Sequence, residues 1–392
     1  MRRRIVALAL VVMAVSAAPV LAATTDVVDG LGTGGGRIQA RIATDTASIV
    51  RAGVPWVFYG ANPEYGYRLR LAKLASTSTY RTLDGTGATN GRTTHSVGTD
   101  VSAVSHGDTV HVFYRDETAD TLRHGRRSGG VWSFETLDGN STVAGRTTHD
   151  VGLRSVAIVY RDRVHVFYAD VTAGDIRRAV FDGSTWRFSV VDGNATVNGR
   201  TTAAVGGAIA AGVWDSRLHV LYTEEPSGLR EATMDPSGAW TYSSISSLGD
   251  GSLALRKVSS AGVLVAYAAG GDIYAGRWNG ATWSIDQPVS SVERVTGLTI
   301  FLDGATPFLA AGLSECFGSG GCDRLIGVAA WNGSTFDDPY FGGSFVVFGE
   351  PPGVPSSAVT IGGLPHLFVG GFGFRTEPDI YEQVLLEVSG PF

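Results

Sequence analysis

Between residues 155 and 191 the chain reads SVAIVY, VHVFY, DIRRAVF and WRFSVV, separated only by short polar turns. This pattern predicts four strands, Ser155–Tyr160, Val164–Tyr168, Asp175–Phe181 and Trp186–Val191. Arg161-Asp162-Arg163, Asp170–Gly174 and Asp182-Gly183-Ser184 supply the turns. Alternation of apolar and polar positions is clear only in places. Several strands are apolar on both faces, as expected when a sheet is covered on both sides by neighbouring sheets. No window of about 12 residues carries a helical period with caps.

The same four-strand unit recurs. Residues 83–95 read LDGTGATNGRTTH, residues 137–149 LDGNSTVAGRTTH and residues 191–203 VDGNATVNGRTTA. His111, His165 and His219 keep step inside VHVFY, VHVFY and LHVLY, as do Trp132, Trp186 and Trp240. A unit of this length cannot bury its apolar faces alone and must stack on copies of itself. Four-stranded units of this kind are the blades of a β-propeller. Outer-strand segments are expected at Thr79–Gly85, Ser133–Gly139, Arg187–Gly193, Thr241–Ser247 and Ser284–Ser290, with a sixth near Phe336–Phe341. The last unit, ending YEQVLLEVSGPF, is one strand short, and Thr24–Gly30 (TTDVVDG) matches the missing strand. The expected fold is an all-β, seven-bladed β-propeller spanning residues 24–392, closed by the N-terminal strand completing the last blade.

Composition refines this picture. Arg2, Arg3 and Arg4 precede an apolar run and then small residues ending Leu21-Ala22-Ala23, so residues 1–23 are expected to be a signal peptide. The product is expected to be secreted, extracellular or periplasmic, with no membrane insertion. Losing those three Arg and no acid takes the formal charge from −6 to −9, which argues against nucleic acid as a partner. Cys316 and Cys322 flank a Gly-rich loop and are expected to form a disulfide in an oxidising compartment. They lack the nearby His that a zinc site would need, so no metal or cofactor is expected.

Strand parity places the repeated polar residues. The link from a fourth strand to the next first strand opens on the same rim as the link between the second and third strands. The first link carries Arg92, Thr94 and His95, then Arg146, Thr148 and His149, then Arg200. The second carries Asp116, Asp170 and Glu224. Arg, carboxylate and an aromatic neighbour suit the grasp of sugar hydroxyls, and Trp132 and Trp186 offer stacking surfaces. These are the candidate ligand-binding residues. The plainer reading is that Arg and the acids form salt bridges that staple a loop to its blade, the Thr pairs cap turns and the Trp series packs between blades. His111, His165 and His219 lie in apolar runs, one per blade, and are expected to pack blades. The loops Asp138-Gly-Asn140 and Asp192-Gly-Asn194 resemble half a calcium loop but are better read as tight turns.

No nucleophile elbow or zinc-protease helix occurs. The cadence VHVFYRDETADTLRHGRRSGGVWSFETLDG resembles the blades of bacterial propeller lectins of the fucose-binding type, over residues 79–242. That resemblance implies sugar bound between adjacent blades. The turns DGSTW (182–186) and NGATW (279–283) resemble the Asp-box of sialidases more weakly, without its spaced form. The expectation is a non-catalytic, lectin-like, carbohydrate-binding propeller whose partner is a glycan on a cell surface or in extracellular matrix. A glycoside hydrolase of sialidase-like type, using unique acids such as Asp272, Glu293, Asp303, Glu315 or Glu350, is the rival, and a protein-binding scaffold the third reading.

Overall fold

The computed structural model describes residues 24–392, apart from 33, 64–65, 260–261, 287, 317–321, 339–344, 349–353, 378–379 and 390–391. The expected signal peptide lies outside the described residues. Seven antiparallel sheets follow one another along the chain. The blades span residues 41–84, 97–138, 151–192, 205–246, 253–291, 294–348 and 354–389. In the third, the strands are Val151–Tyr160, Arg163–Asp170, Asp175–Phe181 and Trp186–Asp192, within a few residues of those predicted. Each blade's first strand touches the first strands of both flanking blades, the seventh back to the first, so the inner strands ring an axis. Thr46 bonds Ser356 and Ser357 across that last boundary, at 2.7 Å each. The architecture is a seven-bladed β-propeller.

Thr24–Asp29 pairs antiparallel with Ile380–Ser389, from Thr24 opposite Ser389 to Asp29 opposite Leu385. One expected strand is displaced. After Trp331 bridges Phe336, the sixth blade's outer strand is Phe345–Phe348, not Phe336–Phe341. The WNGSTF turn forms its bridge, but the ladder on Leu325–Val328 resumes only after an insertion that the repeat period could not show. Cys316 and Cys322 are register partners on adjacent strands, and their side chains lie outside the described residues.

The core lies between blades. One cluster joins Trp56, Phe58 and Leu71 of the first blade to Val110, Val112, Tyr114 and Trp132 of the second. This is why most second strands are buried on both faces. It also explains the burial of His111, His165 and His219, each 3% exposed or less.

A charged staple crosses four of the boundaries. Asp138 is fully buried at the end of the second blade. Its Oδ1 accepts the amides of Gly139 and Thr147, at 2.9 and 2.8 Å. Its Oδ2 accepts the Tyr168 hydroxyl at 2.6 Å and Arg177 Nε at 3.0 Å, both from the third blade. Asp84 with Tyr114 and Arg123, and Asp192 with Tyr222 and Arg230, repeat the arrangement. Asp29 makes it with Tyr59 and Arg70. An isolated buried carboxylate would be costly, and the charged partner with four accepted hydrogen bonds makes it tolerable. Burial, then the neighbouring carboxylate, pushes the Tyr168 phenol well above its ordinary value.

The repeated GRTT link follows from backbone sterics. Gly91 sits at φ 78°, where an added Cβ would lie 1.8 Å from the Phe134 carbonyl oxygen. The preceding Asn90, Ala144 and Asn198 all hold left-handed φ near 60°. Asn tolerates that region better than Ala does.

Candidate functional site

The rim residues predicted from strand parity do meet. His95 Nδ1 lies 2.8 Å from Asp116 Oδ2, and His149 Nδ1 lies 2.9 Å from Asp170 Oδ2. Asp116 and Asp170 are each 1% exposed. Asp116 Oδ1 also accepts the amides of Thr118 and Ala119. The imidazoles are 42% exposed, and Thr94 and Thr148 face solvent. None of the three link arginines pairs with a rim acid, although Arg200 Nε lies 4.0 Å from Asp192. Arg92, Arg146 and Arg200 lie over the Phe134, Phe188 and Tyr242 rings, at 5.7, 5.4 and 6.0 Å. The ion pair to Glu224 comes from Arg230 instead, at 3.7 Å. The reason is reach. The GRTT arginine lies over a fourth-strand ring, whereas the third-strand arginines Arg177 and Arg230 stand 4.0 and 3.7 Å from Asp170 and Glu224. The carboxylates of the DGN loops are engaged by backbone amides, Tyr and Arg, as a turn and not a cation cage. Among the described residues there is no cluster of acids, His and Cys able to hold a metal.

A second set of groups meets at the blade boundaries. It is built from one position on the third strand, its partner on the fourth and a Trp from the next blade. At the second boundary these are His124, Glu135 and Trp186, with His124 opposite Glu135 in register. Glu135 Oε1 accepts His124 Nδ1 at 2.9 Å and the Trp186 indole N–H at 3.2 Å. His124 Nε2 is then the acceptor for His111 Nδ1, 3.0 Å away. The His124 bond holds the Glu135 carboxyl below its ordinary value. Burial holds His124 and His111 neutral, His111 with its pKa lowered to about 3. Glu135 Oε2 makes no hydrogen bond among the described residues, and the side chain is 47% exposed. It looks into a cleft of about 380 Å³ with Arg126, Ser133, Ser184, Phe181 and Trp186. Arg126 lies 5.5 Å over the Phe181 ring. Arg126 Nε has no hydrogen-bond partner.

The equivalent boundaries differ. Between the fourth and fifth blades, Glu231 bonds His219 at 2.7 Å and the Trp283 indole at 3.2 Å, so both oxygens are engaged and the residue is buried. Trp214 stacks on His219 at 3.6 Å and completes the packing. Between the first and second blades, Trp132 is 5% exposed, and Trp56 lies beneath Lys73, 3.8 Å from the ring, and Arg127 at 5.2 Å. Trp186 is thus the predicted tryptophan that borders open space, while Trp132 packs against Phe58 and Phe134. Between the third and fourth blades a cleft of about 430 Å³ is lined by Arg161, Arg163, Arg178 and Arg187.

A third cavity, about 450 Å³, lies on the axis and gathers Asp45, Asp100, Arg154 and Asp250. Burial, then the Asp45 charge, raises Asp100 to about 6. Arg154 donates its amide to Asp100 at 2.7 Å. These axial acids are not the ones singled out from the sequence. Asp303 accepts the Phe392 amide and Asp272 the Tyr274 hydroxyl, while Glu315 and Glu350 lie outside the residues whose side chains are described.

No family model matches the sequence, and no curated protein matches it. Among solved structures the chain is similar to AofleA from Arthrobotrys oligospora, at 13% identity and a TM-score of 0.50, over 82% of this chain and 92% of that one. A triple arginine-to-alanine variant of that protein matches at 12% identity and 0.50, over 83% and 89%. The SapL1 lectin in complex with alpha methyl fucoside matches at 16% identity and 0.47, over 73% and 95%. At these identities the likeness is one of fold.

Proposed function

We propose that this chain is a carbohydrate-binding propeller that acts without catalysis. One observation carries the reading: the open carboxylate oxygen of Glu135, set between a tryptophan edge and an unpaired arginine Nε in an aromatic-walled cleft. A sugar offers hydroxyls that donate to a carboxylate and accept from a guanidinium, and a C–H face that stacks on an aromatic ring. The His124–His111 chain behind Glu135 fixes its orientation before a ligand arrives, which lowers the ordering cost of binding. Titration of the mature chain with a panel of neutral monosaccharides, beside Glu135→Gln, tests it.

The repeated rim of Arg92, Thr94, His95, Asp116, Arg146, Thr148, His149, Asp170, Arg200 and Glu224 is a second ligand face under this reading, offering exposed imidazole and hydroxyl groups. Several sites on one rigid ring would gain avidity without new contacts. We further infer that Thr24–Asp29 closes the seventh blade, that residues 1–23 direct secretion to a cell-surface or matrix glycan, and that Cys316 and Cys322 are bridged. The Asp29 staple to Tyr59 and Arg70 supports the first of these, since it reproduces between the seventh and first blades what the outer strands of the first three blades do at the next three boundaries.

A further inference from the structure

The cleft between the third and fourth blades is the same construction as the Glu135 cleft, one repeat later, with its charge inverted. Phe113 faces His124 across the second and third strands of one blade, and Phe167 faces Arg178 in the next. His124 in turn faces Glu135, and Arg178 faces Ser189. The acid of one cleft is therefore a serine in the other, and the neutral imidazole is a guanidinium.

Arg178 has no ion-pair partner among the described residues. Its Nη1 lies 3.0 Å from Met234 Sδ, its guanidinium lies 5.3 Å over the Trp240 ring, and its Nε is buried without a hydrogen bond. Burial lowers its pKa from the ordinary arginine value, because no carboxylate offsets the desolvation. Arg161 and Arg163 line the same cleft, also without an ion pair among the described residues, and Arg187 is held only at 3.7 Å from Asp182. The acid at the lip is Asp235, whose Oδ1 is taken by Ser237 and Ala239. Four arginines, one of them beside Asp182, against the lip carboxylate of Asp235 form a local excess of positive charge in a chain of net negative charge.

We propose that this cleft binds the anionic group of an acidic sugar, a carboxylate or a sulfate ester, with Arg178 as the buried partner and Arg163 at the mouth. The proposal rests on the carbohydrate-binding reading for the sugar and on the arginine cluster for the charge. Arg178 would supply donors to the oxyanion, Met234 and Val180 an apolar wall for the ring, and Ser237 a rim hydroxyl. A planar guanidinium freed of competing acid is the side chain that recognises such groups most strongly.

The test is calorimetric titration of the mature chain with sodium glucuronate, glucose 6-sulfate, sodium sulfate and glucose. Glucuronate and glucose 6-sulfate separate the carboxylate from the sulfate ester as the source of charge, and binding of either supports the proposal. Glucose is expected not to bind here, and inorganic sulfate to bind more weakly than the charged sugar. Arg178→Met is expected to weaken the charged sugar by about tenfold or more. Arg163→Gln, at an exposed position where folding is not at stake, is expected to weaken it severalfold and to flatten its salt dependence. Sulfate binding as tightly as either charged sugar, or affinity unchanged in both variants, would overturn the proposal. If the protein binds neutral sugars but no charged one, this inference alone falls. If no sugar of either kind binds, the carbohydrate reading falls with it.

Discussion

Trp186 of the third blade donates its indole N–H to Glu135 of the second, 3.2 Å away, and the two close one side of a cleft that remains open on the other. The bond ties a cleft-facing carboxylate to the blade boundary itself. Trp186→Phe keeps the aromatic surface and removes the donor. It is expected to weaken a sugar held at this cleft by about tenfold, the scale of a hydrogen bond to a charged group. Melting temperature should change little. Titration calorimetry on folded protein checks this, and unchanged affinity would remove Trp186 from the site.

The buried staple sets the stability of the boundaries. Asp138→Ala takes from buried Arg177 its closest carboxylate, leaving only Asp170 at 4.0 Å, and is expected to cost about 3 kcal/mol. Tyr168→Phe removes one hydrogen bond to the same carboxylate and should cost about 1.5–3 kcal/mol. Urea unfolding of both variants measures the difference. Costs below about 0.5 kcal/mol for Asp138→Ala would contradict the staple.

The rim makes a separable prediction. Asp170 is buried and accepts from His149 and the Ala173 amide, so Asp170→Ala should cost about 1–3 kcal/mol in unfolding. Arg146→Ala should cost little, since it removes a half-exposed ring contact. Loss of glycan affinity in Arg146→Ala would make the rim a ligand face. Retained affinity would leave it a structural one.

Two buried histidines give the stability a pH dependence of definite sign. His165 has its pKa lowered to about 4 and His111 to about 3, in both cases chiefly by burial. An unfolded chain takes up those protons near pH 6.5 while the folded protein does not, so stability is full above that pH and falls as pH drops towards 4. Asp100 and Asp175, raised to about 6 by burial, act oppositely: their contribution is present below the ordinary carboxylate range and is lost as pH rises through 6. Thermal melts of wild type and His165→Phe between pH 7 and 5 isolate the histidine. The wild type should lose more on acidification than the variant, and equal losses would contradict the assignment.

Ala144 occupies a left-handed position, φ 61°, that two sibling links fill with Asn90 and Asn198. Ala144→Asn should therefore stabilise by roughly 0.5–1 kcal/mol. A loss of stability would show that the side chain, and not the backbone, decides this position.

The repeat made the fold legible. Landmarks at constant spacing gave four strands per unit, and strand parity put His95 beside Asp116 and His149 beside Asp170 on one rim. The staple was harder to see, although Arg70, Arg123, Arg177 and Arg230 carry nearly the same period as the LDG aspartates. A buried ion pair leaves no polar-face signal in a strand. The open clefts were missed for a deeper reason. Their deciding positions, His124, Arg178 and Glu231 on the third strand and Glu135 and Ser189 on the fourth, differ between copies. A search for what recurs discards them, and ligand chemistry is where a repeat is free to vary. The axial acids Asp45 and Asp100 were hidden similarly, since the next copies place Arg154 and Ala208 in register with them.

On the proposed function, the molecule holds sugar in an inter-blade cleft and leaves it unchanged. A glycan array probed with residues 24–392 and with the Glu135→Gln variant, followed by analysis of the bound sugars for cleavage, tests this. Saturable binding by the wild type, loss of its neutral-sugar signal in the variant and no release of product are expected. An array with no binding, a variant indistinguishable from wild type, or turnover of any glycoside would contradict it.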